Sequence, residues 1–313
     1  MLNNVKRNNK AVRLEHISEQ QSDAIFNDLQ QLQQRLVAAL AALDGAAITE
    51  HWQSTLGSGT MCAFNNGTLF ERGGVNFSRI RGEQLPTAAS VRHPQLAGKP
   101  YHAGGVSLVL HPHNPYCPTV HLNVRWFNAE GVWWCGGGMD LTPYYGFVED
   151  CRHFHHHCRL ALDAHDTTLY PRFKKNCDDY FFIRHRNEAR GVGGIFFDDF
   201  NEQSFAHSSA VMQAVGDAFL PAYLPLLEKR RNTPYNEHQR DWQQHRRGRY
   251  VEFNLVYDRG TLFGLQAGGR TDAILMSLPP SVCWGQPKFA IGEAEQALLR
   301  DFLPPQNWLP PAS

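Results

Sequence analysis

Apolar residues between positions 18 and 45 recur at three- and four-residue spacing: Ile25, Leu29, Leu32, Leu36, Leu40 and Leu43. That spacing places them on one face of a helix. Ser18 and Gln21 form a capping-box pattern at its start, and Asp44 with Gly45 ends it. The run therefore predicts a long amphipathic helix packed on another element. A second helix is predicted over 146–163, where Phe147, Cys151, Phe154, Cys158 and Leu162 make an apolar stripe. Pro171, a good first-turn residue, opens a third, with Phe173, Cys177, Tyr180 and Phe181 on its buried side; it is expected to run to about Arg190, where Gly191, Gly193 and Gly194 stop it. A fourth is predicted over 204–231, bent at Pro221 and Pro225.

Strand-like runs lie at 105–111, 119–127, 132–135, 194–199, 250–257, 261–266 and 272–278. Short turns at 128–131 and 258–260 favour antiparallel hairpins. With no internal repeat and no linker-like tract, the expected architecture is α+β, an antiparallel sheet with helices against it in a single domain. That domain is expected over 18–303, with a flexible arm at 1–17 and an irregular tail at 304–313. The whole segment after Pro279 reads as irregular and peripheral, apart from a helical stretch at 291–302.

Composition narrows the function classes. In 313 residues, 30 Lys+Arg balance 30 Asp+Glu, so there is no polybasic surface for nucleic acid. Nearly pure apolar stretches such as 36–43 fall short of a membrane span of ~20 residues. The Asn/Lys-rich start carries no secretory signal, and the chain reads as cytoplasmic. Seven cysteines without a CxxC pair fit neither a disulfide framework nor a thiolate zinc site. Histidine is abundant, with 16 residues. Imidazole both ligates metals and exchanges protons near neutral pH.

Candidate chemistry follows from the strand pattern. In 119–127, Val120, Leu122, Val124 and Trp126 share one face, while His121, Asn123 and Arg125 share the other. The preceding strand puts Ser107, Val109 and His111 on one face, so a hairpin gathers Ser107, His111, His121, Asn123 and Arg125 on one polar surface. A solvated sheet face gives the same pattern. On the second helix His155 falls inside the apolar stripe, whereas His153, His156 and His157 do not. A buried histidine needs a partner, either a hydrogen-bonding group or a metal. His185 sits at the margin of the third helix's apolar side. Arginine beside glycine, at 246–250 and at Gly268, Gly269 and Arg270, suits a carboxylate ligand or a tight turn with a solvated arginine.

These residues lie in long motifs: Gly74-Val-Asn-Phe-Ser78, 105–115, His121-Leu-Asn-Val-Arg125, 133–143 with its triple glycine, Lys174-Lys175, His185-Arg-Asn-Glu188, 191–199, 246–264 and 268–271. From about Phe70 to about Pro280 the chain resembles aerobic, oxygen-dependent coproporphyrinogen-III oxidase. The resemblance implies a large flat antiparallel sheet sandwiched between helices. It implies oxidative decarboxylation of two propionates of coproporphyrinogen III to vinyl groups, giving protoporphyrinogen IX in haem and porphyrin biosynthesis, with O2 as acceptor and no organic cofactor. Carried over to this sequence, His121 is the proton donor, and His111, His121, His155 and His185 are the ligands of a divalent metal cation whose identity and necessity stay open. Ser107, Asn123, Val124, Arg125, Gly268, Gly269 and Arg270 are substrate contacts, and Asp258 engages a pyrrole N–H. A homodimer is implied through about Tyr250 to Gly285. Cys135 and Met139, beside the triple glycine, depart from the family's aromatics there.

The chemistry suits the residues. Arginines fix carboxylates in bidentate pairs, and an electron-rich tetrapyrrole needs a base, a proton donor and a dry pocket rather than a redox cofactor. Two other readings stay open at this level: a porphyrinogen carrier, and a histidine-ligated nonhaem iron oxygenase acting on another substrate.

Overall fold

The long N-terminal helix, α1, spans Glu19–Asp44, and Ser18 caps it as its capping box predicts: the Ser18 hydroxyl accepts from Gln21 N–H at 3.2 Å and the Gln21 side chain accepts from Ser18 N–H at 3.0 Å. In the computed structural model, which describes residues 15–85, 93–266 and 270–309, α1 buries Ile25, Phe26, Leu29, Leu32, Leu36 and Leu40. These pack on a seven-stranded antiparallel sheet.

The sheet contains β1 (Ile48–Ser54), β2 (Gly57–Asn65), β3 (Phe70–Gly82), β4 (Tyr101–Pro112), β5 (Thr119–Ala129) and β6 (Val132–Thr142) in chain order. After α2 (Val148–Asp163), α3 (Leu169–Tyr180) and a small hairpin of β7 (Phe182–Ile183) and β8 (Glu188–Ala189), the chain returns as β9 (Gly193–Phe200) beside β6. α4 (Phe205–Asp217) then joins α1 over one face of the sheet, with α5 (Phe219–Arg230) packed on α2. Val120, Leu122, Val124 and Trp126 point into this core and are almost fully buried. α6 (Glu237–Val256), α7 (Arg259–Gln266) and α8 (Thr271–Leu275) lie on the other side of the sheet, followed by α9 (Glu293–Ala297). Met276, just after α8, sits where a side chain on Gly74 of β3 would go, and Asn76 bonds the Ala273 carbonyl at 3.0 Å. The expected α+β sandwich is thus present, with helices on both faces.

Several expected elements differ. The segments 250–257, 261–266 and 272–278, expected as strands, are instead the end of α6, α7 and α8 with the turn that follows it. A capping box at Asn236 and Gln239 starts α6. Helix α3 ends at Tyr180 rather than near Arg190, because the β-prone residues from Phe181 to Ile183 turn into a hairpin. The 204–231 helix breaks at Ala218, just ahead of Pro221, while Pro225 sits inside α5. Phe205–Arg230 is long and apolar enough by length and composition to cross a bilayer, yet half of its most apolar window is buried inside the protein. The chain after Pro279 is irregular but not peripheral: Trp308 and Leu309 join the main core, and the Trp308 indole N–H donates to the Val192 carbonyl at 3.2 Å. At the other end Ile17 is also buried in that core.

Candidate active site

Cross-strand register sets the site. In β5 the alternation sends His121, Asn123 and Arg125 away from the core, opposite Val109, Ser107 and Gly105 of β4 and Asp140, Gly138 and Gly136 of β6. Directly opposed residues share a face, so Ser107, His121, Asn123 and Arg125 form one polar surface, whereas His111, expected beside them, is fully buried. The Ser107 rung continues through Asn76 and Met61 to Glu50 on β1. Arg270, ahead of α8, forms a two-point ion pair with Glu50 at 2.7 and 3.0 Å. Arg125 and the tip of Arg270 therefore lie over the same face, four strand intervals or roughly 19 Å apart.

The triple glycine has a steric reason. A Cβ on Gly136 would come within 2.8 Å of Arg125 Nε, so only glycine leaves room for the guanidinium to lie across β6. Gly138 has φ +148° and lies so close to the Ile195 carbonyl that a Cβ there would clash at 2.0 Å. Arg125 donates to Asn123 Oδ1 at 2.6 Å and to Asp198 Oδ1 at 2.8 Å, and Arg259 donates to the other Asp198 oxygen at 3.2 Å. Tyr180 stacks on Phe196 with centroids 4.3 Å apart, and its hydroxyl donates to Asp258 Oδ1 at 2.9 Å. The Thr261 N–H and hydroxyl both donate to Asp258 Oδ2 at 2.8 Å. Burial opposes ionisation of Asp258, but these donors and the nearby His121 hold its pKa below the usual aspartate value. Asp258 is thus a poised hydrogen-bond acceptor more than a strong base.

His121 donates from Nδ1 to Asp140 Oδ1 at 2.9 Å, and Nε2 has no partner among the described residues. Burial of Asp140 raises its pKa, and the Arg190 charge with the His121 hydrogen bond more than reverses this, leaving it below the ordinary value. The surface thus combines a cation that can hold a carboxylate, an acceptor for an N–H, and an imidazole with one open nitrogen. The coproporphyrinogen III oxidase family matches residues 24–308. The chain belongs to this family.

As a member of this family the chain is an oxidoreductase of porphyrin biosynthesis. The oxidase fold does not bring the four histidines of the expected metal site together. His111 donates from Nε2 to the Ser277 carbonyl at 2.8 Å, and its Nδ1 meets the Thr119 hydroxyl at 3.1 Å. His155 donates from Nε2 to the Val192 carbonyl at 3.1 Å, and its Nδ1 meets the Tyr170 hydroxyl at 3.0 Å. His185 contacts the Tyr257 hydroxyl at 2.7 Å and the Glu252 carboxylate. With both ring nitrogens engaged, none of these three offers a free lone pair, and among the described residues no group of three or more His, Cys, Asp or Glu is placed to hold a metal ion. These residues do not fit a divalent cation, which corrects the expectation. The Val124 side chain is buried on the opposite face, which leaves only its backbone on the side of the site. Gly268 and Gly269 lie outside the described residues.

Sequence reasoning missed Asp140, Asp198, Tyr180, Arg190 and Glu50 as members of the site. Asp140 had a readable signal, since it lies two residues beyond the triple glycine and pairs with His121 once β5 and β6 form a hairpin. The others depend on helices and crossovers that pairing rules do not reach.

His111 and His155 have a measurable consequence. Burial holds both at a pKa of about 3, with hydrogen bonds to carbonyls only partly opposing it. The unfolded chain takes up these protons near pH 6.5 and the folded one near pH 3. Stability from this source is therefore full above pH 6.5 and is lost as pH falls toward 3, at ~1.4 kcal/mol per pH unit per histidine. His155→Gln is expected to be less stable at pH 7.5 yet to lose stability more slowly on acidification in urea titrations. An unchanged acid slope would show that His155 is not the buried neutral group.

Proposed function

We propose that the chain uses O2 to convert two propionates of coproporphyrinogen III to vinyl groups, giving protoporphyrinogen IX. The observation that carries this reading is that His121 and Arg125 on β5, Asp258 after α6 and Arg270 ahead of α8 lie over one face of the sheet. A tetra-anionic macrocycle needs widely spaced cations around a polar floor, and Arg125 and Arg270 supply them.

For each propionate, –CH2CH2COO⁻ + H⁺ + O2 gives –CH=CH2 + CO2 + H2O2. The C–COO⁻ bond breaks, two electrons pass to O2, and one proton must be supplied with the hydrogen lost from carbon. Asp258 accepts from a pyrrole N–H and raises the ring's electron density, and His121 Nε2 handles the proton that reaches reduced oxygen. Arg125 holds a carboxylate so that the reacting side chain is presented in one place.

The substrate is added to the protein under argon, then O2 is admitted, with CO2 and porphyrinogens measured by gas analysis and HPLC. No product without O2, then a monovinyl intermediate and two CO2 per substrate, is the expected result. Binding without CO2 release would favour a carrier, and turnover that needs iron and is lost on chelation would favour a nonhaem iron oxygenase. Near-normal turnover in His121→Ala at saturating substrate would remove the proton-handling role. Exposed Leu255, Val256, Leu262, Leu265 and Trp284 support a homodimer through about Tyr250 to Gly285, for which light scattering should give twice the chain mass rather than once.

A further inference from the structure

Arg190 occupies an unusual position for a charged group. Its side chain is only 2% exposed and is surrounded by the rings of Phe181, Tyr250 and Phe253, whose centroids lie 4.0, 4.6 and 4.8 Å from the guanidinium carbon. Nη2 donates to both Asp140 oxygens, at 2.8 and 2.7 Å, and Nη1 donates to Asn254 Oδ1 at 2.7 Å. Asp140 then accepts the His121 Nδ1–H. One chain of hydrogen bonds runs from α6 through the loop between β8 and β9 to β6 and β5, ending at the imidazole that faces the site. Taking a guanidinium out of water into this cage opposes folding, and hydrophobic residues of similar volume would close this space as well. The arrangement calls for a reason other than packing.

We propose that Arg190, held by Asn254, is a positioning residue that fixes the tautomer and orientation of His121 through Asp140. A neutral imidazole carries its proton on either nitrogen, and a carboxylate accepts but cannot donate. An Asp140 carboxylate pinned at both oxygens, with Oδ1 aimed at His121, requires the proton on Nδ1. That leaves the lone pair on Nε2, the nitrogen without a partner among the described residues. Two-point contact with Arg190 stops Asp140 from rotating, and the Asn254 bond stops Arg190 from turning within its aromatic cage. The idea rests on the proposed role of His121 for its kinetic consequence but not for its structural one.

The test uses ¹⁵N-histidine-labelled full-length protein without substrate, in which long-range ¹H–¹⁵N spectra report which His121 nitrogen carries the proton. The unsubstituted protein is expected to show Nδ1–H alone. Asp140→Asn, which can present an N–H to Nδ1, is expected to shift the proton to Nε2 and to lower kcat on the order of 10³- to 10⁴-fold, as in other His–carboxylate pairs. Asn254→Ala and Arg190→Lys are expected to show mixed tautomers, kcat lowered ~10-fold or more, and KM within about twofold. Arg190→Met should be worse than Arg190→Lys, so partial rescue by lysine separates positioning from simple loss of fold. A single Nδ1–H tautomer and unchanged kcat in both Asn254→Ala and Arg190→Lys would overturn the proposal. A shifted tautomer with unchanged turnover would uphold the positioning role and instead overturn His121 as the group that handles the proton.

Discussion

Arg125→Ala is expected to lower kcat/KM on the order of 10²- to 10³-fold while changing stability by no more than about 1 kcal/mol. The first part follows from removing one partner of a charge-assisted carboxylate contact in a partly desolvated site, which costs ~2–5 kcal/mol. The second follows from exposure: the Arg125 side chain is 36% exposed, and Asp198 keeps its bond to Arg259 when Arg125 is gone. Lysine should not rescue, because one ammonium cannot bridge Asn123 and Asp198 and still present a planar fork to a ligand. Gly136→Ala should move in the same direction by a smaller factor, since its methyl would displace the Arg125 guanidinium. Steady-state kinetics together with thermal melts decide the matter, and kcat/KM within threefold of the unsubstituted protein would remove Arg125 from the site.

Arg247→Leu is expected to cost about 3 kcal/mol of stability and to lower the melting temperature by roughly 5 °C. The Arg247 side chain is fully buried, donating to Glu71 Oε2 at 2.7 Å and to the Pro112 carbonyl at 2.9 Å. Leucine would leave that carbonyl with Gln243 as its donor and would take from Glu71 one of its two arginines, leaving Arg240 and the Ser281 hydroxyl. Burial works against the Glu71 carboxylate, but Arg247 and Arg240 together hold its pKa at about 2. Because the folded value lies below the unfolded 4.5, the pair's contribution is complete above that pH and fades only as pH falls toward 2. The deficit of Arg247→Leu should therefore be largest near neutrality and shrink in acid. A deficit independent of pH would assign the loss to packing rather than charge.

The elements legible in the sequence were those whose buried side is apolar. Strand β5 alternates cleanly, α1 carries an uninterrupted stripe with a capping box, and His155 alone among four neighbouring histidines is fully buried. The misread elements share the opposite property. α6 buries Asp241, Gln243, His245, Arg246, Arg247 and Asn254, so its inner face looks like a solvated one, and its Val251, Phe253, Leu255 alternation imitates a strand. Only the cap at Asn236 and Gln239 announces a helix there. β1 was missed because it is polar and exposed, and β2 because its glycines interrupt any period. The polar half of the site was legible only where it lay on β4 and β5. Asp198, Tyr180 and Arg190 reach it through β9, the end of α3 and the loop before β9, and no local pattern records that.

The strand order has a kinetic consequence. Six strands pair in the order of synthesis, so each successive ladder closes only a short loop, whereas the Arg247–Glu71 contact spans 176 residues. The meander should acquire hydrogen-exchange protection first, and α6 should dock late, as a separate event.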